Sequence, residues 1–361
     1  MEDELKPLDS VIDGEERLGT GEGAGNPASA DSKSGGKQRL KRLGVAVVVV
    51  AIFFAFVAYA GYVLTPKDNG ENDGVIKATS DAIYAEPENS LDVVFLGNSA
   101  AAEAIDPMLM WKKAGVTSYV YAPNGQRSVG ALSALKKILQ VQSPSVVVVE
   151  ADVFFSGQQP EYALYQVMDD LFPVAQYHHR WKDVTLRDFY APVNYTHLSS
   201  TKGHIIRETI TDTDISHYME PTDEAYYCGN VSEWALSAMI DVCEQAGAQL
   251  MVVSVPSPAE WNMQRYNGMQ QLSEKYGFAF LDLNQANSQM GMDWSTDSRD
   301  YGKHLNWKGA AKATHYLLEY LKSAYDLPDH RGDSAYAQSW DDQVAAYDAL
   351  LEAAKSGERV M

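Results

Sequence analysis

The sequence is short of cysteine, with two in 361 residues, and short of cations, with 29 lysines and arginines against 49 aspartates and glutamates. Two cysteines allow one disulfide at most. A formal net charge of -20, with no basic stripe carrying interleaved aromatics, excludes an extended nucleic-acid surface. No repeat at solenoid spacing is present. His178, His179, His197, His204 and His217 crowd one stretch, but no cysteine or carboxylate spacing completes a metal set with them, so neither metal nor cofactor is expected. A structural or substrate-lid role suits the neighbouring Tyr177 to Trp181 better, its Arg180 and aromatics fitting sugars or an anionic polymer.

What the chain does have is an uncharged run at 43–64, LGVAVVVVAIFFAFVAYAGYVL, long enough to span a bilayer core. KQRLKR at 37–42 precedes it with four cations, whereas Lys67 is followed by Asp68, Glu71 and Asp73. The positive-inside rule then puts the N-terminus in the cytoplasm and everything after Thr65 outside. A cleaved signal peptide is the alternative; the length of the run and of the tail before it favour an uncleaved anchor. Residues 1–36 are acidic, rich in Gly, Ser and Ala and without apolar period, which predicts a disordered cytoplasmic tail. Residues 66–74 read as a polar linker. In an oxidising compartment Cys228 and Cys243 can pair, but one continuous helix over 232–246 would hold them too far apart. Both outcomes stay open.

From residue 75 onward helical and strand signals alternate. Apolar strands are expected at 93–96, 116–121, 145–150, 249–255 and 279–283, and helices at 77–84, 107–114, 129–140, 232–246, 260–276 and 308–321. The strand SVVVVE at 145–150 is apolar on both faces and therefore central and parallel. The rhythm predicts an α/β domain over 75–325, a flavodoxin-like three-layer α/β/α sandwich with a mainly parallel sheet. Residues 154–224 break the rhythm and are expected as an insertion with short helices lying over the active face. Residues 326–361 form a C-terminal extension ending in a helix over 341–354.

The chemistry centres on LDVVFLGNSAAAEAIDP at 91–107. A buried strand runs into Gly97-Asn98-Ser99 and then into small, helix-tolerant residues. An open α/β sheet places reactive groups at such strand ends. Gly97 permits the turn, and backbone N–H groups around Gly97 and Ala100 are offered to a developing oxyanion. The plainer alternative makes Ser99 an N-cap. A serine nucleophile needs a base and an orienting acid. His304 lies in a Gly-containing loop just before the last helix of the domain, with Asp300 close upstream, so one segment can supply both. Here the plainer alternative is a loop histidine that caps the following helix.

FLGNSAAAEAIDP together with DYGKHLNWKGAAKATHYL resembles the SGNH/GDSL superfamily of esterases and O-acyltransferases. The likeness is to its membrane-anchored, extracytoplasmic bacterial branch of DltD-like and polysaccharide O-acetyltransferase-like proteins. Gly97 and Ser99 match the family's Gly-x-Ser block. Asp300 and His304 match its last block, continued by Leu305, Asn306, Gly309 and Ala310. The resemblance implies a Ser99, His304 and Asp300 triad, with Asn124 and Gly125 as a second glycine loop lending oxyanion donors. Three residues separate Asp300 from His304 where the family has two, so Asp297 or a water is an alternative orienting group. The family's Gly-x-Asn-Asp block is replaced by Glu150-Ala151-Asp152, whose carboxylates are expected to point away or to bond backbone.

The implied activity is hydrolysis or transfer of acyl esters on a cell-envelope glycan or related polymer, outside the membrane and anchored to it. Two rivals remain. One is a dedicated acetyl or D-alanyl transferase, working with a membrane acyl-donor partner. The other is a catalytically silent envelope-binding or assembly module.

Overall fold

The computed structural model describes residues 32–70, 77–156 and 160–360. Most of the predicted tail at 1–36 and part of the linker at 66–74 lie outside the described residues. Helix α1, Ser32–Leu64, contains the apolar run; its segment Gln38–Leu64, of mean hydropathy 2.7, is long and apolar enough to cross a membrane.

In the α/β domain five strands form one parallel sheet. They are β1 (Val93–Leu96), β2 (Ser118–Tyr121), β3 (Val146–Glu150), β4 (Gln249–Ser254) and β5 (Ala279–Asp282), in the order β2-β1-β3-β4-β5. Period-two alternation splits their side chains between two apolar layers. Val94, Leu96, Val147, Val149 and Val252 face helices α4 (Ser128–Ile138) and α6 (Asn230–Ala246). Val93, Phe95, Val148, Met251 and Val253 face α2 (Ser99–Ala104), α3 (Pro107–Ala114) and α8 (Trp307–Ala324). The chain turns to opposite sides of the sheet after β1 and after β2, so the carboxyl ends of β1 and β3 flank a topological switch point, where open α/β sheets place ligands.

Most predicted boundaries hold within a few residues, and where they move the caps explain it. Helix α7 (Met263–Tyr276) begins at Met263 rather than 260 because the Asn262 side chain accepts from the N–H of Arg265 (3.0 Å). Helix α9, Ser334–Lys355, starts seven residues before the predicted 341 because the Asp333 side chain accepts from the N–H of Ala335 (2.9 Å). The extension is no appendage. Trp340 stacks on Trp111 of α3, ring centroids 5.2 Å apart, and Trp111 donates to Asp341 Oδ1 (3.0 Å).

The interruption after β3 carries short helices, among them α5 (Pro160–Leu171). Its backbone joins Lys202 O to the N–H of Val120 and Ile205 N–H to Ala102 O, and Lys202, fully buried, pairs with Glu86 (2.8 Å). The cysteines are both free and buried. Helix α6 runs between them, and burial pushes each thiol up to about 12.

Replacing Trp340 by Ala in the full chain should cost about 3–5 kcal/mol of stability, the usual cost of a buried Trp cavity. Chemical denaturation measures it; a loss below about 1 kcal/mol would show that α9 is not part of the folded core.

Candidate active site

Ser99 is the first residue of α2, directly after β1 and Gly97-Asn98. A Cβ at position 97 would meet Ala101 Cβ at 2.3 Å and Glu150 Cβ at 3.0 Å, so only glycine lets α2 start this close to β3. The cap of α2 is Asn98, whose Oδ1 accepts from the N–H of Ala100 (2.9 Å). That releases the Ser99 hydroxyl from capping. Asp152 holds Asn98 in place through Nδ2 (2.7 Å), while its other oxygen receives Arg265 Nη1 (2.8 Å).

Across the site, the Ser99 hydroxyl donates to His304 Nε2 at 2.8 Å, although 205 residues separate them. His304 Nδ1 lies 2.7 Å from Asp300 Oδ2, and Asp300 Oδ1 accepts from the His304 backbone N–H (3.0 Å). Because an ionised carboxylate can only accept, this contact puts the ring proton on Nδ1 and leaves the Nε2 lone pair toward Ser99. The side chains of His304 and Asp300 are 18% and 30% exposed, shielded yet open to a substrate.

The four-residue step from Asp300 to His304 works because the loop coils tightly. Asp300, Tyr301 and Gly302 all have positive φ, at 47°, 60° and 86°, a conformation unfavourable for the first two. The coil is held from outside: Ser257 donates its hydroxyl to Lys303 O (2.9 Å), and the Tyr301 N–H donates to Thr211 Oγ1 (3.0 Å). Asp297, the alternative orienting group, is engaged elsewhere, with Lys312 and the Asp293 N–H (2.7 Å). His304 does not cap α8 either; Asn306 does, accepting from the N–H groups of Lys308 (3.0 Å) and Gly309 (3.3 Å).

Two expected oxyanion donors are corrected by the geometry. The Gly97 N–H donates to Tyr121 O in the sheet (3.2 Å), and the Ala100 N–H is taken by the Asn98 cap. Asn124 is exposed and lines an adjoining cavity, whereas Gly125 does border the Ser99 pocket. The N–H groups of Ser99 and Gly125 hold no acceptor among the described residues, which leaves them as the available backbone donors. The pocket measures about 280 Å³, and Arg127, Glu150, Ser257, Trp261 and Lys303 complete much of its wall.

Glu150 behaves as expected of it, accepting from the Asp152 backbone N–H (3.0 Å). Its full burial, with Asp152 beside it, pushes its carboxyl well above the ordinary range where it lines the pocket. A residue not singled out from sequence is Glu103. Its buried carboxylate receives Arg207 Nε (2.9 Å) and Arg299 Nη2 (2.7 Å), tying α2 to the residue before Asp300. Arg180, expected to face an anionic polymer, is instead buried and donates to Leu64 O (2.6 Å) and Asp188 (3.3 Å). Among the described residues no group of His, Cys, Asp and Glu side chains is arranged to hold a metal ion.

No protein-family model and no curated protein matches this chain. Solved structures do. The chain is similar to the psychrotrophic esterase EstA from Pseudoalteromonas sp., at 14% identity and TM-score 0.36, over 64% of this chain and 98% of that one. It is also similar to the lipase/acylhydrolase from Enterococcus faecalis, at 12% identity and TM-score 0.36, over 65% and 97%. A GDSL-like lipase from Bacteroides thetaiotaomicron matches at 13% identity and TM-score 0.32, over 64% and 88%.

Glu150 carries a pH test. Above the ordinary value of 4.5 the unfolded chain has lost this proton while the folded chain keeps it, so stability falls as pH rises through that window. Glu150→Gln should flatten the fall, so that its melting temperature gains on the wild type between pH 5 and pH 8. An unchanged pH slope would mean that Glu150 is ionised in the folded protein.

Proposed function

We propose that this chain is a membrane-anchored, extracytoplasmic serine esterase or O-acyltransferase of the SGNH type, acting on acyl esters of cell-envelope glycans or related polymers. One observation carries the reading: the Ser99 hydroxyl, His304 and Asp300 stand in one hydrogen-bonded line, at 2.8 and 2.7 Å. In the mechanism His304 Nε2 takes the Ser99 proton as Oγ attacks the ester carbonyl, and Asp300 stabilises the imidazolium. The N–H groups of Ser99 and Gly125 receive the oxyanion of the tetrahedral intermediate. His304 returns the proton to the departing alkoxide, leaving an acyl-serine. Water or a sugar hydroxyl then attacks that ester, His304 again removing the proton, and Ser99 is regenerated.

Localisation outside the membrane rests on the apolar helix Gln38–Leu64 and its basic leading flank. The end of that helix adds support. Tyr62 donates to Ala191 O (2.6 Å) and Arg180 to Leu64 O, while Trp181, Leu186 and Tyr190 nearby are 67%, 83% and 74% exposed, a composition suited to the headgroup layer.

With p-nitrophenyl acetate as the ester, Ser99→Ala should lower kcat/KM by at least about 10³-fold and Asp300→Asn by about 10²- to 10⁴-fold, with unchanged circular dichroism. A Ser99→Ala chain that keeps wild-type turnover would remove Ser99 from the mechanism.

A further inference from the structure

A second cavity, of about 520 Å³, opens beside the domain's β2 edge and is larger than the Ser99 pocket. Four tyrosines line it: Tyr84, Tyr121, Tyr177 and Tyr195. Tyr84 meets Tyr121 and Tyr195 edge to face, at 6.4 and 6.2 Å between centroids, which fixes the rings at differing tilts. Four carboxamides, Gln140, Gln166, Gln176 and Asn194, share the lining; Gln166 is hydrogen-bonded to Asp170, and the side-chain amides of the other three hold no hydrogen bond to other described residues. Charge of both signs is present. Lys77 and Lys137 oppose a cation, Asp81, Glu88 and Asp169 oppose an anion, and Asp170 is already occupied by Lys137 (2.6 Å) and Ser133 (2.9 Å).

The cavity is not isolated. An intermediate hollow of about 220 Å³ shares Lys77, Gln166 and Asp169 with it, and shares Gly125 and Arg127 with the Ser99 pocket. The three hollows therefore adjoin in turn between the reactive hydroxyl and the tyrosines. Arg127 borders both the Ser99 pocket and the intermediate hollow, its guanidinium lying 3.0 Å from the ring centroid of Tyr162.

We propose that the tyrosine-lined cavity is a distal subsite for a neutral oligosaccharide, which threads these hollows so that a sugar further along the same chain reaches Ser99. Flat phenol faces pack on the C–H faces of sugar rings, and unpartnered carboxamides donate to and accept from ring hydroxyls. The four carboxylates of the walls outnumber the two lysines and disfavour an anionic ligand. The proposal rests on the acyl-transfer reading only for its link to Ser99; binding itself does not require that reaction.

The test is calorimetric titration of the full chain, in a detergent without a sugar headgroup, with chitotetraose, cellotetraose and maltotetraose in turn. At least one should bind, and both Tyr195→Ala and Gln176→Ala should weaken it, the tyrosine change by about tenfold or more. Ser99→Ala, titrated alongside, should bind as the wild type does. Failure of all three sugars at millimolar concentration, binding unaltered in both variants, or binding of tetramethylammonium with no sugar, would each overturn the subsite. Sugar binding that depends on Tyr195 in a chain without ester turnover would support the subsite and count against the acyl-transfer reading alone.

Discussion

The candidate site depends on one buried carboxylate. Glu103, one turn along α2 from Ser99, is 1% exposed and bound by two guanidiniums, those of Arg207 and Arg299. Arg299 immediately precedes Asp300, so the pair joins the helix carrying the hydroxyl to the loop carrying the imidazole and its acid. A buried carboxylate left without its partners costs several kcal/mol, which gives the closed arrangement a clear advantage over one with the loop swung away. The cost of placing Asp300 and Tyr301 in left-handed backbone is offset by the same clamp and by the hydrogen bonds from Ser257 and Tyr301. The short Ser99 to His304 distance follows from these restraints.

Electrostatics arrange the rest. A chain of net charge -20 would repel a developing oxyanion if its nearest carboxyls were all ionised. Burial pushes the Glu150 carboxyl well above the ordinary range and so favours its uncharged form. Asp152 gives its oxygens to Asn98, Ser156 and Arg265. What faces the pocket is then a mixture of N–H donors, hydroxyls and cations, with Glu260 paired to Lys303 (3.2 Å). Such a lining favours a transition state that gathers negative charge on oxygen.

The sheet was legible because its strands are short, apolar and separated by amphipathic helices with visible ends. Val93 to Leu96 and Pro107 to Ala114 stand where periodicity and capping predicted them. Ser99, His304 and Asp300 were legible as residue types in the right local context, and the plainer readings of Ser99 and His304 as caps fail because Asn98 and Asn306 fill those places. Less was readable where function depends on which N–H is free. The ladder bond at Gly97 is a property of three-dimensional neighbours, invisible in a linear string, and the cap bond at Ala100 turns on whether Asn98 or Ser99 caps the helix. The same holds for Glu103, whose partners lie 104 and 196 residues away, and for the path taken by the interruption after β3.

The central claim is that Ser99 is an activated nucleophile, and the most direct measurement is reaction of the full chain with a fluorophosphonate probe, followed by peptide mapping. The account predicts one covalent adduct, on Ser99, absent from Ser99→Ala and slowed in His304→Ala. A folded wild-type chain that stays unlabelled, or one labelled on another residue, would contradict it.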